Sequence, residues 1–242
     1  MPKRPEAEAA AGPHVGALTR RSFLAGSAIA LSGCVAEIGA PLTGLRPEPD
    51  FDYAEIYGPR PNERFPIPAV DLSRIAPPYR RQKVPFTTGE PPGTIIVDPR
   101  LRFLYFVEPG NTATRYGVGV GRAGMEWSGT AEIGRKQAWP TWTPTADMIE
   151  RDPRNAEWAD GMEPGLNNPL GARALYIYQD GVDTLYRLHG SPEVDSIGRA
   201  VSSGCIRLLN QDVIDLYNRA EVGATVIVRP TVRESVTDLV AG

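Results

Sequence analysis

The residues of this chain whose types could do chemistry together are His189 and Cys205, in the stretch RLHGSPEVDSIGRAVSSGCIRLLN from Arg187 to Asn210. A thiol becomes a strong nucleophile as its thiolate, and a nearby imidazole can take the proton. Gly190 after the histidine lets a side chain at a strand end face an open cleft. Ser203 and Gly204 before the cysteine let a substrate approach the backbone closely. A glycine preceding a nucleophile also suits an oxyanion hole of backbone N–H groups. The spacing alone leaves a second reading open, with Cys205 a small buried hydrophobe and His189 a satisfied surface residue.

What singles the pair out is where the chain is sent. Near the N-terminus, TRRSFLAGSAIALSGC holds a twin arginine (Arg20, Arg21) followed by a short apolar run to Leu31. That run is too short to cross a hydrocarbon core of about 30 Å, but it fits the h-region of an export signal of the Tat type. Residues 1–33 are therefore read as a lipoprotein signal peptide, with Cys34 as the lipidated first residue of the mature chain. A general signal peptide with an incidental Cys34 is the other reading. Of 26 basic and 29 acidic residues, four and two leave with the signal, so the mature chain carries 22 against 27, a net −5. Nucleic-acid binding rests on basic residues neutralising phosphates, so that class of partner is excluded. His14 also leaves, and His189 and Cys205 remain as the single histidine and the single unmodified thiol. A free thiol in an oxidising compartment is a liability unless it is used. One histidine and one thiol do not make a zinc site, which prefers four N or S ligands, so no metal is expected, and no cofactor.

The elements that must position this pair are mostly strands. Residues 34–85 are proline-rich and read as a linker or an arm lying along the domain, with Ile67 and Val70 as docking points. The catalytic domain is placed at 86–230 and a C-terminal tail at 231–242. Strands are expected at Thr94–Val97, across the alternating Leu101, Phe103, Tyr105 and Val107, and at Thr112–Val120, Ala131–Ala138, Arg173–Tyr178, Thr184–His189 and Ala224–Val228. One helix is clear, since Val213, Ile214, Leu216, Tyr217 and Ala220 share a face; Asn210 is expected to cap it and Gly223 to end it. A shorter helix is expected after Pro144. The fold class is mainly β.

Other motifs carry less. GVGVG at Gly117–Gly121 is not followed by a helix, which a dinucleotide phosphate would need, so it reads as a strand of small residues. Trp139 and Trp142 of WPTWTP are either a substrate platform or a core corner, and MEPGLNNPLGARA is a loop that could wall a cleft.

The stretch from His189 to Asn210 resembles the signature of the L,D-transpeptidase catalytic domain family (YkuD type). That signature is a His-Gly, a variable loop, then Ser-His-Gly-Cys-(Ile/Val)-Arg and often an Asn. This chain has His189-Gly190, Ser202-Ser203-Gly204-Cys205-Ile206-Arg207 and Asn210. PGTIIVD, RYGVGVGR, WPTWTP and NPLGARALYIY are similar as well, so the likeness covers roughly residues 85–230.

The resemblance implies a β-sandwich or open barrel with a few short helices at its edges, acting on peptidoglycan tetrapeptide stems outside the cytoplasmic membrane. It implies that Cys205 attacks the carbonyl before a terminal D-Ala, that a thioester forms, and that an amine resolves it. His189 would be the base, the Gly190 carbonyl would orient its ring, and the N–H groups of Gly204 and Cys205 would hold the oxyanion. Arg207 would order the site or meet a substrate carboxylate, unless it is simply held in an ion pair. Ser203 stands where the family commonly has histidine, which leaves His189 the sole imidazole and puts the rate and the acceptor in question. The expectation is a periplasmic L,D-transpeptidase anchored to a membrane through Cys34, whose acceptor is a stem amine or a wall-attached protein. Water as acceptor would make it a carboxypeptidase or a hydrolase. A non-catalytic peptidoglycan-binding lipoprotein would use the same cleft.

Overall fold

Left-handed residues at the turns lay out the sheet. In the computed structural model, which describes residues 51–122 and 127–231, Asp180 and Gly181 both take positive φ (52° and 77°). Two such residues in succession make the two-residue turn whose twist matches that of the strands it joins. Gly110 and Asn111 (φ 79° and 56°) turn the chain earlier on, in the three-residue connection between Glu108 and Thr112. Residues 1–33, read above as an export signal, Cys34 and residues 232–242 of the tail lie outside the described residues.

The strands in order are β1 (Gln82–Pro85), β2 (Ile95–Asp98), β3 (Phe103–Glu108), β4 (Thr112–Gly117), β5 (Val120–Gly121), β6 (Gly129–Ala138), β7 (Arg173–Gln179), β8 (Val182–Ser191), β9 (Ala200–Ser202), β10 (Ile206–Leu209) and β11 (Thr225–Val228). Nine of them form one mixed sheet in the order β1-β4-β3-β2-β11-β6-β7-β8-β10, and β5 pairs with β9 in a small second sheet. The helices are α1 (Tyr53–Ile56), α2 (Ala146–Arg151) and α3 (Asn210–Arg219). The mainly β expectation holds, with short helices at the edges.

One face of the sheet is the core. Leu175, Ile177, Leu188, Ile206 and Leu208 are buried there, and Val213, Leu216 and Ala220 of α3 pack onto it. Burying a side chain of this kind contributes roughly 1.5–3 kcal/mol, so the 3.6-residue stripe on α3 suffices to hold the helix on the sheet.

Several elements depart from the sequence reading. Thr112–Val120 is not one strand: β4 ends at Gly117, where Tyr79 fills the space a Cβ would take, and β5 joins β9 instead. Asn210 is the first residue of α3 rather than its cap; Leu209 holds the cap position without a side-chain bond. The short helix after Pro144 is α2, capped by Thr145, whose Oγ1 accepts from the Met148 N–H. β1, β9 and β10 were not expected as strands.

Residues 51–85 lie against the domain. Tyr57, Ile67 and Ile75 are buried, Val70 is half-buried, and β1 adds to the sheet beside β4. Arg81 reaches under α3, where its Nε donates to Asp212 Oδ1 (2.9 Å) and its guanidinium meets Asp215 (3.1 Å); the Tyr57 hydroxyl donates to Asp212 Oδ2 (3.2 Å). A buried charge needs such partners.

Candidate active site

Parallel pairing of β8 and β10 places the chemistry. Ile206 lies opposite Leu188 and Arg207 opposite His189. Leu188 and Ile206 point into the core, and side chains alternate along a strand, so His189 and Arg207 share the other face. Cys205 precedes β10, and the same register carried back one residue sets it opposite Arg187. The histidine and the cysteine thus stand on one face of adjacent strands. They open into a cleft of about 660 Å3 that Ser202, Ser203 and Arg207 also line.

His189 is buried, and Nδ1 lies 2.6 Å from the Gly190 carbonyl. A carbonyl can only accept, so Nδ1 carries the proton and Nε2 holds the lone pair. Burial pushes the imidazole down to about 4, against the pull of the Gly190 and Pro169 carbonyls and with the help of Arg207 and Arg187. It is therefore neutral at pH 7, the form a base requires. Gly190 must be glycine, since a Cβ there would overlap Asn210 Oδ1. That oxygen accepts the Ala172 N–H (2.9 Å) and ties the loop before β7 to the start of α3, beside Gly190 of β8. The asparagine of the motif is therefore a brace.

The turn that carries Cys205 is held by Ser202, which the motif match includes without a role. Ser202 is buried; its hydroxyl donates to the Cys205 carbonyl (2.7 Å) and accepts the Gly204 N–H (3.2 Å). Gly204 takes φ 126°, which a side chain would resist. Its N–H is thus engaged with Ser202, not directed at the cleft. Ser203 is exposed on the cleft wall. The Cys205 sulfur lies 3.8 Å from the Leu185 carbonyl; burial pushes the thiol up, while the Arg187 N–H and the charges of Arg187 and Arg207 pull it down. At rest the pair is a thiol beside a neutral imidazole. Arg207 forms an ion pair with Glu193 (2.7 Å) on the loop between His189 and Cys205.

That loop is clamped by the arm. Arg74 pairs with Asp195 (2.6 Å), Ile75 packs with Ile197, and the Tyr79 ring fills the space where a Cβ on Gly198 would stand. The segment after β6 forms the facing wall: Trp142, Met148, Asn155, Pro169 and Leu170 line the cleft. The two tryptophans divide the roles left open for them. Trp139 is buried with Ile67 and Ala172 and donates to Glu63 (2.9 Å), whereas Trp142 faces the cleft. Asn168 holds this loop by donating to the Met162 and Glu163 carbonyls (both 3.1 Å). Among the described residues no cluster of three or more His, Cys, Asp or Glu could hold a metal ion.

The family model for the L,D-transpeptidase catalytic domain (YkuD) matches residues 92–228. A probable L,D-transpeptidase YbiS from Escherichia coli K12 is 36% identical over 145 residues, covering 55% of this chain and 43% of that protein. The probable L,D-transpeptidase ErfK/SrfK of the same organism is 36% identical over 139 residues with the same coverage. The chain thus spans less than half the length of these curated relatives. A crystal structure from Brucella melitensis, described as a probable carnitine operon oxidoreductase, is 47% identical; it covers 66% of this chain and 99% of that one, with a TM-score of 0.45.

Proposed function

The chain belongs to the L,D-transpeptidase catalytic domain family, and from that premise we propose that it acts on peptidoglycan stem peptides through a thioester on Cys205. The observation that carries this reading is the placement of a thiol and a neutral, carbonyl-anchored imidazole on one face of adjacent strands, at a cleft large enough for a peptide.

His189 Nε2 takes the thiol proton as Sγ attacks the carbonyl before the terminal D-Ala. The oxyanion is held by the Cys205 N–H; Gly204 joins only if its N–H leaves Ser202. The tetrahedral species collapses by breaking the C–N bond, the imidazolium gives its proton to the departing D-Ala amine, and the thioester remains. An incoming amine then loses a proton to His189, attacks the thioester and releases the thiol, which recovers its proton. The acceptor is a stem amine, giving a 3–3 crosslink, or the amine of a wall-attached protein. The export signal and the lipid anchor at Cys34 would put the enzyme in the periplasm, beside this substrate.

The test is to incubate the protein, and its Cys205→Ala variant, with tetrapeptide-bearing muropeptides and to read the products by mass spectrometry. Dimers linked 3–3 that the variant does not form establish the transpeptidase. Tripeptides alone assign the acyl group to water and make the protein a carboxypeptidase. Stem binding without any product would leave a peptidoglycan-binding lipoprotein.

A further inference from the structure

Across the cleft face of the sheet runs a row of side chains that ends at the nucleophile. Arg135 on β6 pairs with Tyr176 on β7, Tyr176 pairs with Arg187 on β8, and Cys205 follows at the head of β10. The guanidinium of Arg187 lies 4.4 Å from the centre of the Tyr176 ring, over which Arg135 also sits at 3.7 Å. Asp183 holds the same guanidinium through two hydrogen bonds (2.8 and 3.1 Å), and the Tyr186 carbonyl accepts a third (3.0 Å).

This ion pair is built at a cost. Residues four apart in an extended strand are separated by about 13 Å, too far for Asp183 to reach Arg187. They meet because β8 is bulged: Thr184, Leu185 and Tyr186 face the single residue Ile177 of β7. Leu185 takes φ 64°, with its N–H on Asp183 Oδ1 (2.8 Å). A left-handed leucine costs on the order of 1 kcal/mol, and burial does not compensate, since the side chain is 62% exposed. The kink does two things beside Cys205: it turns the Leu185 carbonyl toward the sulfur (3.8 Å) and it fixes the position of the Arg187 charge. Strain kept at such a place points to use.

We propose that Arg187 is an electrostatic positioning residue for the nucleophile: clamped by Asp183 and Tyr176, its fixed positive charge stabilises the Cys205 thiolate as the proton passes from Sγ to His189. The inference rests on the reading of Cys205 as the nucleophile. The cations acting on the thiol are Arg187 on its own sheet row and, more weakly, Arg207 on β10; each is paired with a carboxylate, Asp183 and Glu193 respectively. Asp183 opposes Arg187, and His189, on the same face of the neighbouring strand, is uncharged. Arg122, whose N–H donates to the Ser202 carbonyl, lines the cleft on the side of Cys205, and Arg151 and the Asp152–Arg154 pair line it from the facing wall. Arg187 also disfavours protonation of His189, so one charge serves both partners of the proton transfer.

The experiment is alkylation by iodoacetamide across pH, with the Cys205 peptide followed by mass spectrometry so that Cys34 is read separately. Arg187→Met keeps the stem and removes the charge. The alkaline limb should move up, lowering the rate at pH 8 about tenfold, the change that one pKa unit gives. Asp183→Asn keeps an oxygen for the Leu185 N–H but frees the Arg187 charge, so the limb should move down and the rate should rise. Arg187→Lys should stay close to the wild type. A merely structural role would damage both charge variants in the same direction. Shifts of the same sign, or an unmoved limb in a folded Arg187→Met, would overturn the proposal. If Arg187→Met does not fold, a lowered or unchanged rate in Asp183→Asn overturns it alone. Iodoacetamide needs no stem peptide, so failure here is distinct from failure to crosslink muropeptides.

Discussion

At the scale of single residues, the site is a neutral acid–base pair waiting for substrate. His189→Ala removes the base, and acylation of Cys205 by a carbapenem, followed by mass shift, should slow by about 100-fold or more, the usual contribution of general base catalysis. Ser203→Ala removes only an exposed hydroxyl on the cleft wall and should leave that rate nearly unchanged. Equal losses in both would overturn this division of roles. The buried imidazole also ties stability to pH. Between its folded value of about 4 and its ordinary 6.5, the unfolded chain binds a proton that the folded histidine refuses. Stability should therefore fall as pH is lowered through that window, by about 3 kcal/mol in total at 1.36 kcal/mol per unit. Asp212, whose carboxyl burial pushes up to about 6, works in the opposite direction over much of the same range. The measurement is accordingly the difference in denaturant midpoint between wild type and His189→Asn from pH 4 to 7. A constant difference would contradict the buried neutral imidazole.

At the scale of elements, short pieces are held in place by single side chains. Ser202, at the end of β9, makes two hydrogen bonds across the nucleophile turn. Ser202→Ala should cost about 2 kcal/mol, near 1 kcal/mol for each bond, and should slow Cys205 acylation because the turn loses its brace. Unchanged acylation would show that β9 and β10 hold the turn by themselves. Asn210 plays a matching part at the other end of β10, holding the Ala172 amide and packing against Gly190. The bulge at Leu185 can be tested similarly. Leu185→Gly adopts positive φ without penalty, so it should keep the alkylation profile of Cys205, whereas Leu185→Val, stiff and β-branched, should lower thermal stability. Equal stability in the two would mean that the kink carries no strain.

At the scale of the whole molecule, the domain extends beyond the matched stretch of residues 92–228. The arm supplies an edge strand, a buried arginine and the clamp on the loop between His189 and Cys205. Arg81→Met would strand Asp212, which is fully buried, and breaking a buried pair on one side costs about 3–5 kcal/mol. Urea denaturation reads this directly; a loss below 1 kcal/mol would mean that Asp212 simply takes up a proton. A chain begun at residue 92 should be less stable still, because Tyr57, Ile75 and Tyr79 leave their partners Ile197 and Leu209 exposed.

The sequence by itself singled out Cys205 and His189 as the candidate nucleophile and base, because such chemistry needs particular residue types and only one histidine and one thiol survive the expected processing. It also determined α3 and most strands, since the stripe of Val213, Leu216 and Ala220 and the alternation in β3 are local patterns of burial. The tertiary structure decided what local patterns cannot encode. β10 is four residues long and β9 three, too short for any period to show. Asn210 reads locally as a cap and becomes a brace only because Ala172 and Gly190 arrive from elsewhere in the chain. The proline-rich arm carries no regular period, yet Arg81 finds Asp212 131 positions away. Such partners are chosen by the cost of leaving a buried polar group unpaired, and that cost arises only once the chain has closed around it.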